Sequence, residues 1–320
     1  MSRTLVSWIA LATIAVAGCG AGSREKPSRI FITIATGGTG GTYYPLGGTL
    51  AQIWSTTVPG VNASAQATVA SVFNVQAVEQ GKADVAFVQG DVAYFAYNQG
   101  TPAVPAPHTK LRAMAVLYTN TVQILARRDS DIHRIEDFRG RRIGVGAPGS
   151  GTEVVAKIII EAHGLKYEDV RVDFLSFNEV SAQMQDRTLD GGFISASYPV
   201  SAITDVNMSV GVRLISLDPG AVAQIRSQYP FLKPMVIPRD VYNGQDQDIQ
   251  TIGMDNLLIC REELSEDLVY RLTKAFFDGL PQLVAVHVAA KAIDPEQGPS
   301  APLPLHPGAA RYYRERELVR

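Results

Sequence analysis

From Arg29 onward, short runs rich in Val, Ile and Phe alternate with segments of helical period, and turns bearing Gly or Ser separate them. The pattern predicts strands at Phe31–Ala35, Ala65–Val69 and Asp84–Val88, each followed by a helix. The first helix carries Tyr43, Leu46, Leu50, Ile53 and Trp54 on one face. The second opens at Ser71 with Val72, Val75 and Val78, and the third runs from Asp91 to a stop at Gly100. Strands joined through helices must pair in parallel, so the fold class is α/β, with helices covering both faces of the sheet. The Pro-rich Thr101–Thr109 stretch can only be a loop.

Two apolar runs, Leu111–Leu117 and Val122–Arg127, flank Tyr-Thr-Asn-Thr and read as chain leaving one domain for another. The alternation then restarts. Strands are expected at Arg142–Val145, Arg171–Leu175 and Gly192–Ser195, with helices after Ser150, from Asn178 and from Pro199. Val212–Leu217 is a strand placed to carry the chain back. A long helix over Ser265–Leu280 shows Leu268, Leu272, Ala275, Phe276 and then Leu283 at helical spacing. Two α/β halves crossed more than once form a hinged clamp. Its expected lobes are 29–119 with 214–320, and 120–213. A content of 46% hydrophobic residues excludes a disordered chain, and a net charge of -2 gives no electrostatic footprint for nucleic acid.

Residues 1–18 read as an export signal: Arg3, an apolar stretch from Leu5 to Ala17, then Val16-Ala17-Gly18-Cys19. The stretch is shorter than the roughly 20 residues a hydrocarbon core requires. The small residues before Cys19 resemble a bacterial lipobox, which implies lipidation of Cys19 and a tether over residues 19–28. Cys260, in the apolar run Asn256–Cys260, reads as a buried core thiol without chemistry.

Two Gly-rich turns stand where a strand meets a helix, Gly37–Thr42 before Tyr43 and Gly146–Thr152 before Glu153. A helix start leaves N–H groups unpaired at the positive end of its dipole, so either turn can hold an anion. The second turn also matches G-x-G-x-x-G over Gly144–Gly149. Pro148 stiffens it, the glycines precede the helix cap, and an exported protein lacks a nicotinamide supply, so a dinucleotide site is disfavoured. A phosphate loop would need a Lys where Thr152 and Glu153 follow Gly151. Ser150-Gly151-Thr152-Glu153 also fits a capping box, and capping and ligand binding can coexist. Ser71 is either a helix cap or, with Asn74 one turn in, a ligand group. Gln89-Gly90-Asp91 follows the third strand at its carboxyl end, where open α/β sheets bind ligands. The loops at 37–43, 71–74, 89–91 and 150–152 would then line one crevice.

Catalysis finds little support. The five histidines lack metal spacing, no G-x-S-x-G or C-x-x-C occurs, and Asp91 and Glu153 read as helix-start carboxylates. Neither a cofactor nor a metal is expected. The alternatives in other classes are an extracytoplasmic α/β enzyme acting on a small anion, and a binding fold serving as sensor or surface lipoprotein.

The stretch Ile34–Pro45 (IATGGTGGTYYP) resembles the opening of the TAXI group of TRAP-transporter solute receptors. The likeness continues through Ser71–Asn74, Asp84–Asp91, Gly146–Thr152, Tyr242-Asn243-Gly244-Gln245 and Leu305–Tyr313. The resemblance implies a two-lobed periplasmic-binding-protein type 2 fold, a non-enzymatic monomer held extracytoplasmically by its lipid. It further implies that the clamp closes on a small carboxylate solute such as glutamate, glutamine or 2-oxoglutarate and delivers it to TRAP membrane subunits. By matching position it implies contacts from Thr39, Gly40, Tyr43, Ser71, Asn74, Gln89, Ser150, Gly151 and Thr152. Thr42 and Asp91 lie in the same loops, Tyr198 lies in the Ser195–Pro199 stretch, and the three complete the candidate set. The chain departs from the pattern at Ser195–Pro199, where a Gly is expected before Tyr-Pro, and at its C-terminus.

Overall fold

The computed structural model describes residues 29–319. The export signal, Cys19 and the tether lie outside the described residues.

In the first lobe, β1 (Ile30–Ala35), α1 (Tyr43–Thr57), β2 (Val61–Gln66), α2 (Ser71–Glu79), β3 (Val85–Gln89) and α3 (Gly90–Gln99) follow the expected βα order. A single long strand, β4 (Leu111–Arg127), then crosses to the second lobe. That lobe contains β5 (Arg142–Gly144), α4 (Gly151–Ala162), β6 (Arg171–Asp173), α5 (Phe177–Gln185), β7 (Gly191–Ala196), α6 (Ser201–Ser209), β8 (Val212–Leu214), α7 (Pro219–Gln228) and β9 (Lys233–Ile237). The return crossing is β10 (Ile249–Arg261), followed in the first lobe by α8 (Glu266–Asp278), α9 (Leu280–Val286) and α10 (Pro307–Arg314).

The strands join into one mixed sheet ordered β2-β1-β3-β10-β4-β7-β5-β6, with β8 against β4 and β9 against β10. Pairing is parallel within β2-β1-β3 and within β7-β5-β6, and antiparallel around the two crossing strands. Each lobe has an apolar layer on both sheet faces. One first-lobe layer is built on Trp54, which is fully buried and donates Nε1–H to the Leu272 carbonyl at 3.0 Å. Burying a side chain of this kind contributes on the order of 2–3 kcal/mol.

Three expectations need correction. The second strand lies at Val61–Gln66, not Ala65–Val69; as an edge strand with alternating exposure it carries no apolar run to mark it. The two apolar runs around Tyr-Thr-Asn-Thr are one continuous strand of 17 residues, because those polar groups are used inside the sheet. Asn120 Nδ2, for example, donates to the Ser195 carbonyl at 3.3 Å. Finally, the chain does not return to the first lobe at 214. Leu214, Ile215, Leu217, Ile225, Ile237, Tyr242, Ile252 and Met254 all belong to the cores of the second lobe, so the crossing falls between Met254 and Leu257. Thr119, Asn120 and Thr121 face Asp255, Met254 and Gly253 there, and a bulge follows Asp255. Gly253 is needed at this point, since a Cβ would sit 2.5 Å from the Asn120 carbonyl oxygen.

Candidate functional site

The sheet topology brings the carboxyl ends of β1, β3, β5 and β7 to one seam between the lobes. A small cavity lies there, lined from the first lobe by Gly37, Thr42, Tyr43, Ser71 and Gln89. Asn120 in the crossing strand lines it too, and from the second lobe Ser150, Gly151, Thr152, Ser176, Phe177 and Ser195. It holds about 60 Å3, room for roughly four to six waters. No Arg, Lys or His lines it.

The lobes touch directly around this cavity. Gln89 Nε2 donates to Ser195 Oγ at 2.8 Å, and Val72 and Phe73 N–H both donate to the Gly149 carbonyl at 3.1 and 3.2 Å. The first turn of α2 is thus satisfied by a carbonyl of the opposite lobe, and its own flanking residue, Ala70, supplies no side-chain cap. Farther out, Ser201 Oγ meets the Gly40 carbonyl at 3.3 Å and Asn178 Nδ2 meets Thr39 Oγ1 at 3.4 Å. On the flank, Tyr94 and Phe95 of α3 pack tilted or edge-on against Tyr229 and Phe231 with ring centroids 5.6–6.1 Å apart. The clamp is closed.

Ser150 caps α4, its Oγ accepting from Glu153 N at 3.2 Å while Glu153 reaches back to Gly149 N at 2.8 Å. Ser150 is thus the helix cap, but the capping box is incomplete, because Glu153 takes the Gly149 N–H and the Ser150 N–H goes to the Ala147 carbonyl. The cap leaves the Gly151 and Thr152 N–H groups and Thr152 Oγ1 without hydrogen bonds among the described residues. α1 starts without a side-chain cap or an acidic residue in its first turn. Two helix starts from opposite lobes therefore offer free donors to the same cavity, and their dipoles favour negative charge.

Beneath the cavity lies a buried polar layer. Tyr43 donates its hydroxyl to Asn256 Oδ1, and Asn256 Nδ2 donates to the Tyr118 carbonyl at 2.8 Å. Burial holds the Tyr43 hydroxyl far above its ordinary pKa; Ser71 lowers it somewhat and the charge of Asp91 adds to the rise. Gln89 Oε1 and Asn120 Oδ1 have no hydrogen-bond partner among the described residues.

Of the twelve expected ligand residues, Thr42, Tyr43, Ser71, Gln89, Ser150, Gly151 and Thr152 line the cavity. Ser71 is the first residue of α2 and not its cap; its Oγ accepts the Gln89 N–H at 3.1 Å. Five are placed elsewhere. Thr39 and Gly40 sit at the outer seam, where they touch Asn178 and Ser201. Asn74 is consumed by structure: Nδ2 donates to the Thr36 and Phe87 carbonyls at 2.6 and 2.8 Å, and Oδ1 accepts from Thr68. Asp91 is fully buried in the first turn of α3, outside the cavity lining, and neither carboxylate oxygen has a hydrogen-bond partner. Burial raises its pKa to about 6; the nearby Val92 and Asp91 N–H groups oppose the rise without reaching good hydrogen-bond geometry. Tyr198 is half-buried, packed on the second lobe's core beside a cis Tyr198–Pro199 bond.

Asn120, Ser176, Phe177 and Ser195 line the cavity and were absent from the expected set. Ser176 had a signal, since Ser176–Glu179 is a capping box at a helix start. Cys260 is a core residue as expected, and burial pushes its thiol pKa well up. Among the described residues no cluster of His, Cys, Asp or Glu has metal-binding geometry, and no helix is long and apolar enough to cross a membrane.

Comparison with known proteins agrees with this architecture. The sequence model of the NMT1-like family matches residues 34–316, so the chain belongs to that family. Solved structures with the same fold include a Bordetella bronchiseptica RB50 protein, 19% identical over 91% of this chain and 89% of that one, with a TM-score of 0.55. The ligand-binding component of an ABC-type import system from Staphylococcus aureus, solved with zinc bound, is 12% identical over 91% and 93%, at 0.52. A putative L-cystine ABC transporter protein from Listeria monocytogenes is 12% identical over 82% and 98%, at 0.51. At such identities the likeness establishes the two-lobed periplasmic-binding-protein fold.

Proposed function

We propose that this member of the NMT1-like family is an extracytoplasmic solute receptor that closes on a small carboxylate solute and presents it to the membrane subunits of a transporter. One observation carries the reading: free donors at the starts of α1 and α4, one from each lobe, converge on a cavity that only closure completes. A carboxylate held by Gly151 N–H, Thr152 N–H and Thr152 Oγ1 needs no cationic side chain, since each charge-assisted hydrogen bond contributes roughly 1.5–3 kcal/mol. The cavity's size suits a small solute and is far too small for a peptide. Import-system components among proteins of this fold support the receptor role. The assignment to the TAXI group, with TRAP membrane subunits and a glutamate-, glutamine- or 2-oxoglutarate-like ligand, rests on the motifs from Ile34 to Tyr313. The lipid anchor rests on Val16–Cys19.

The test is calorimetry of the three candidate solutes against the wild-type protein and Thr152→Ala. Removing a hydroxyl that touches only the ligand should weaken binding about fivefold to a hundredfold, with Tm unchanged. Equal affinity in the variant would remove Thr152 from the carboxylate site. Mass spectrometry of the solute that co-purifies with the protein identifies it directly.

A further inference from the structure

The motif Tyr242-Asn243-Gly244-Gln245 plays no part in the crevice. It forms one wall of a second, larger cavity of about 480 Å3 on the flank of the second lobe, where β8, α6 and the end of β4 meet. Tyr242 and Gln245 serve the fold. Tyr242 OH accepts from Val200 N at 2.9 Å, and Gln245 holds its own loop through the Pro238 and Gln247 carbonyls. The rest of the motif is arranged around Arg128.

The Arg128 side chain lies between two left-handed glycines. Gly244, at φ +74°, presses on the guanidinium so closely that a Cβ would fall 2.8 Å from Nη2. Gly211, at φ +73°, closes the other side, with a Cβ position 3.3 Å from Nε. Any other residue would be strained at either position and would displace the arginine. Yet the guanidinium is poorly used within the protein. Nη2 reaches Asn207 Oδ1 and the Val212 and Asn243 carbonyls at only 3.3–3.4 Å, and Nε and Nη1 make no hydrogen bond among the described residues. Arg213 lines the same cavity, with Nη1 bonded to the Ile132 and Ser130 carbonyls at 2.8 and 3.4 Å and Nη2 to the Arg128 carbonyl at 3.2 Å, which leaves Nε without a hydrogen bond among the described residues. His133 stands at the rim. Among the described residues neither arginine has a carboxylate within ion-pair distance, although Asp246 shares the wall. The adjacent Arg127, by contrast, is paired with Asp129 and Asp190.

We propose that this cavity is a second anion site, taking an oxyanion of the phosphate class between Arg128 and Arg213. A planar, pre-oriented guanidinium with free N–H groups matches the paired oxygens of such an ion. The phosphate comes either free or as the headgroup of a membrane lipid, and the two sources separate experimentally. This inference does not depend on the solute bound in the crevice.

The test titrates the full chain with inorganic phosphate by calorimetry. In parallel it measures co-sedimentation with vesicles containing phosphatidic acid against phosphatidylcholine alone. Phosphate binding that falls at least roughly tenfold in Arg128→Ala and in Arg213→Ala, with crevice affinity unchanged, supports the site. Vesicle binding that the same substitutions abolish, without phosphate binding, supports it with the lipid as source. Absence of binding in both arms, or binding of equal strength in both variants, overturns it. Should a variant fail to fold, crystals of the unaltered chain soaked in selenate decide: anomalous density between the two guanidinium groups supports the site, and none there overturns it.

Discussion

Gly151→Ala tests the closed clamp at its tightest point. A Cβ on residue 151 would lie 2.1 Å from Gln89 Oε1, 2.5 Å from Gln89 Cδ and 3.2 Å from Ser71 Oγ. An ordinary contact begins near 3.4 Å, so Gln89 must withdraw by more than an ångström or the lobes must stay apart. Withdrawal breaks the Gln89–Ser195 bond across the seam, a loss of about 1 kcal/mol, and crowding a packed site costs about 1–3 kcal/mol. The penalty falls on the closed state alone, because Gly151 and Gln89 belong to different lobes. Solute affinity should therefore drop roughly fivefold to a few hundredfold. The Tm of the solute-free protein should stay near wild type, since alanine suits a helix's first turn at least as well as glycine. Calorimetry gives the affinity, and small-angle scattering gives the compaction on adding solute. Wild-type affinity and wild-type compaction in the variant would refute the reasoning.

Four further outcomes concern Asp91, Asn74 and two glycines of α1. Asp91 titrates near 6 in the fold and near 3.9 when unfolded, so the native state binds the extra proton. Stability should fall as pH rises from about 4 to about 6 and then level off, at a cost of about 3 kcal/mol at pH 7; urea unfolding of Asp91→Asn should show this slope flattened. Asn74→Ala should lower stability by about 2–4 kcal/mol in the same assay, because it strands the carbonyls of Thr36 and Phe87. In α1, Gly48→Ala should raise stability by about 0.5–1 kcal/mol, its added methyl meeting nothing within 4 Å. Gly47→Ala should lower stability instead, since its methyl would lie 2.3 Å from Thr36 Cγ2.

What the sequence made legible follows the local signals. The turns before Tyr43 and Gly151 were readable because glycines precede an amphipathic face in both, with the Ser150 cap added at the second, and both reach the cavity. The polar strand β2 and the crossing through Thr119–Thr121 were not readable. Their placement depends on neighbours distant in sequence, such as β1 beside Val61 and Met254 opposite Asn120. Asn74 and Asp91 have the residue types of ligand groups at plausible positions, and only the tertiary surroundings show that one is spent on carbonyls and the other sealed away. Ser195 enters the site near the end of β7 and Asn120 from the middle of β4, and neither position carries a motif.

The carbonyl of Gly149, bonded by Val72 and Phe73, gives closing an unusual status. Were the lobes to part, α2 would begin without a cap and its first turn would be left unfinished. Shutting the clamp supplies the missing acceptor from chain 76 to 77 residues away. On the receptor reading proposed above, closing on a solute would be the last step of folding, and opening to release it would begin by fraying α2.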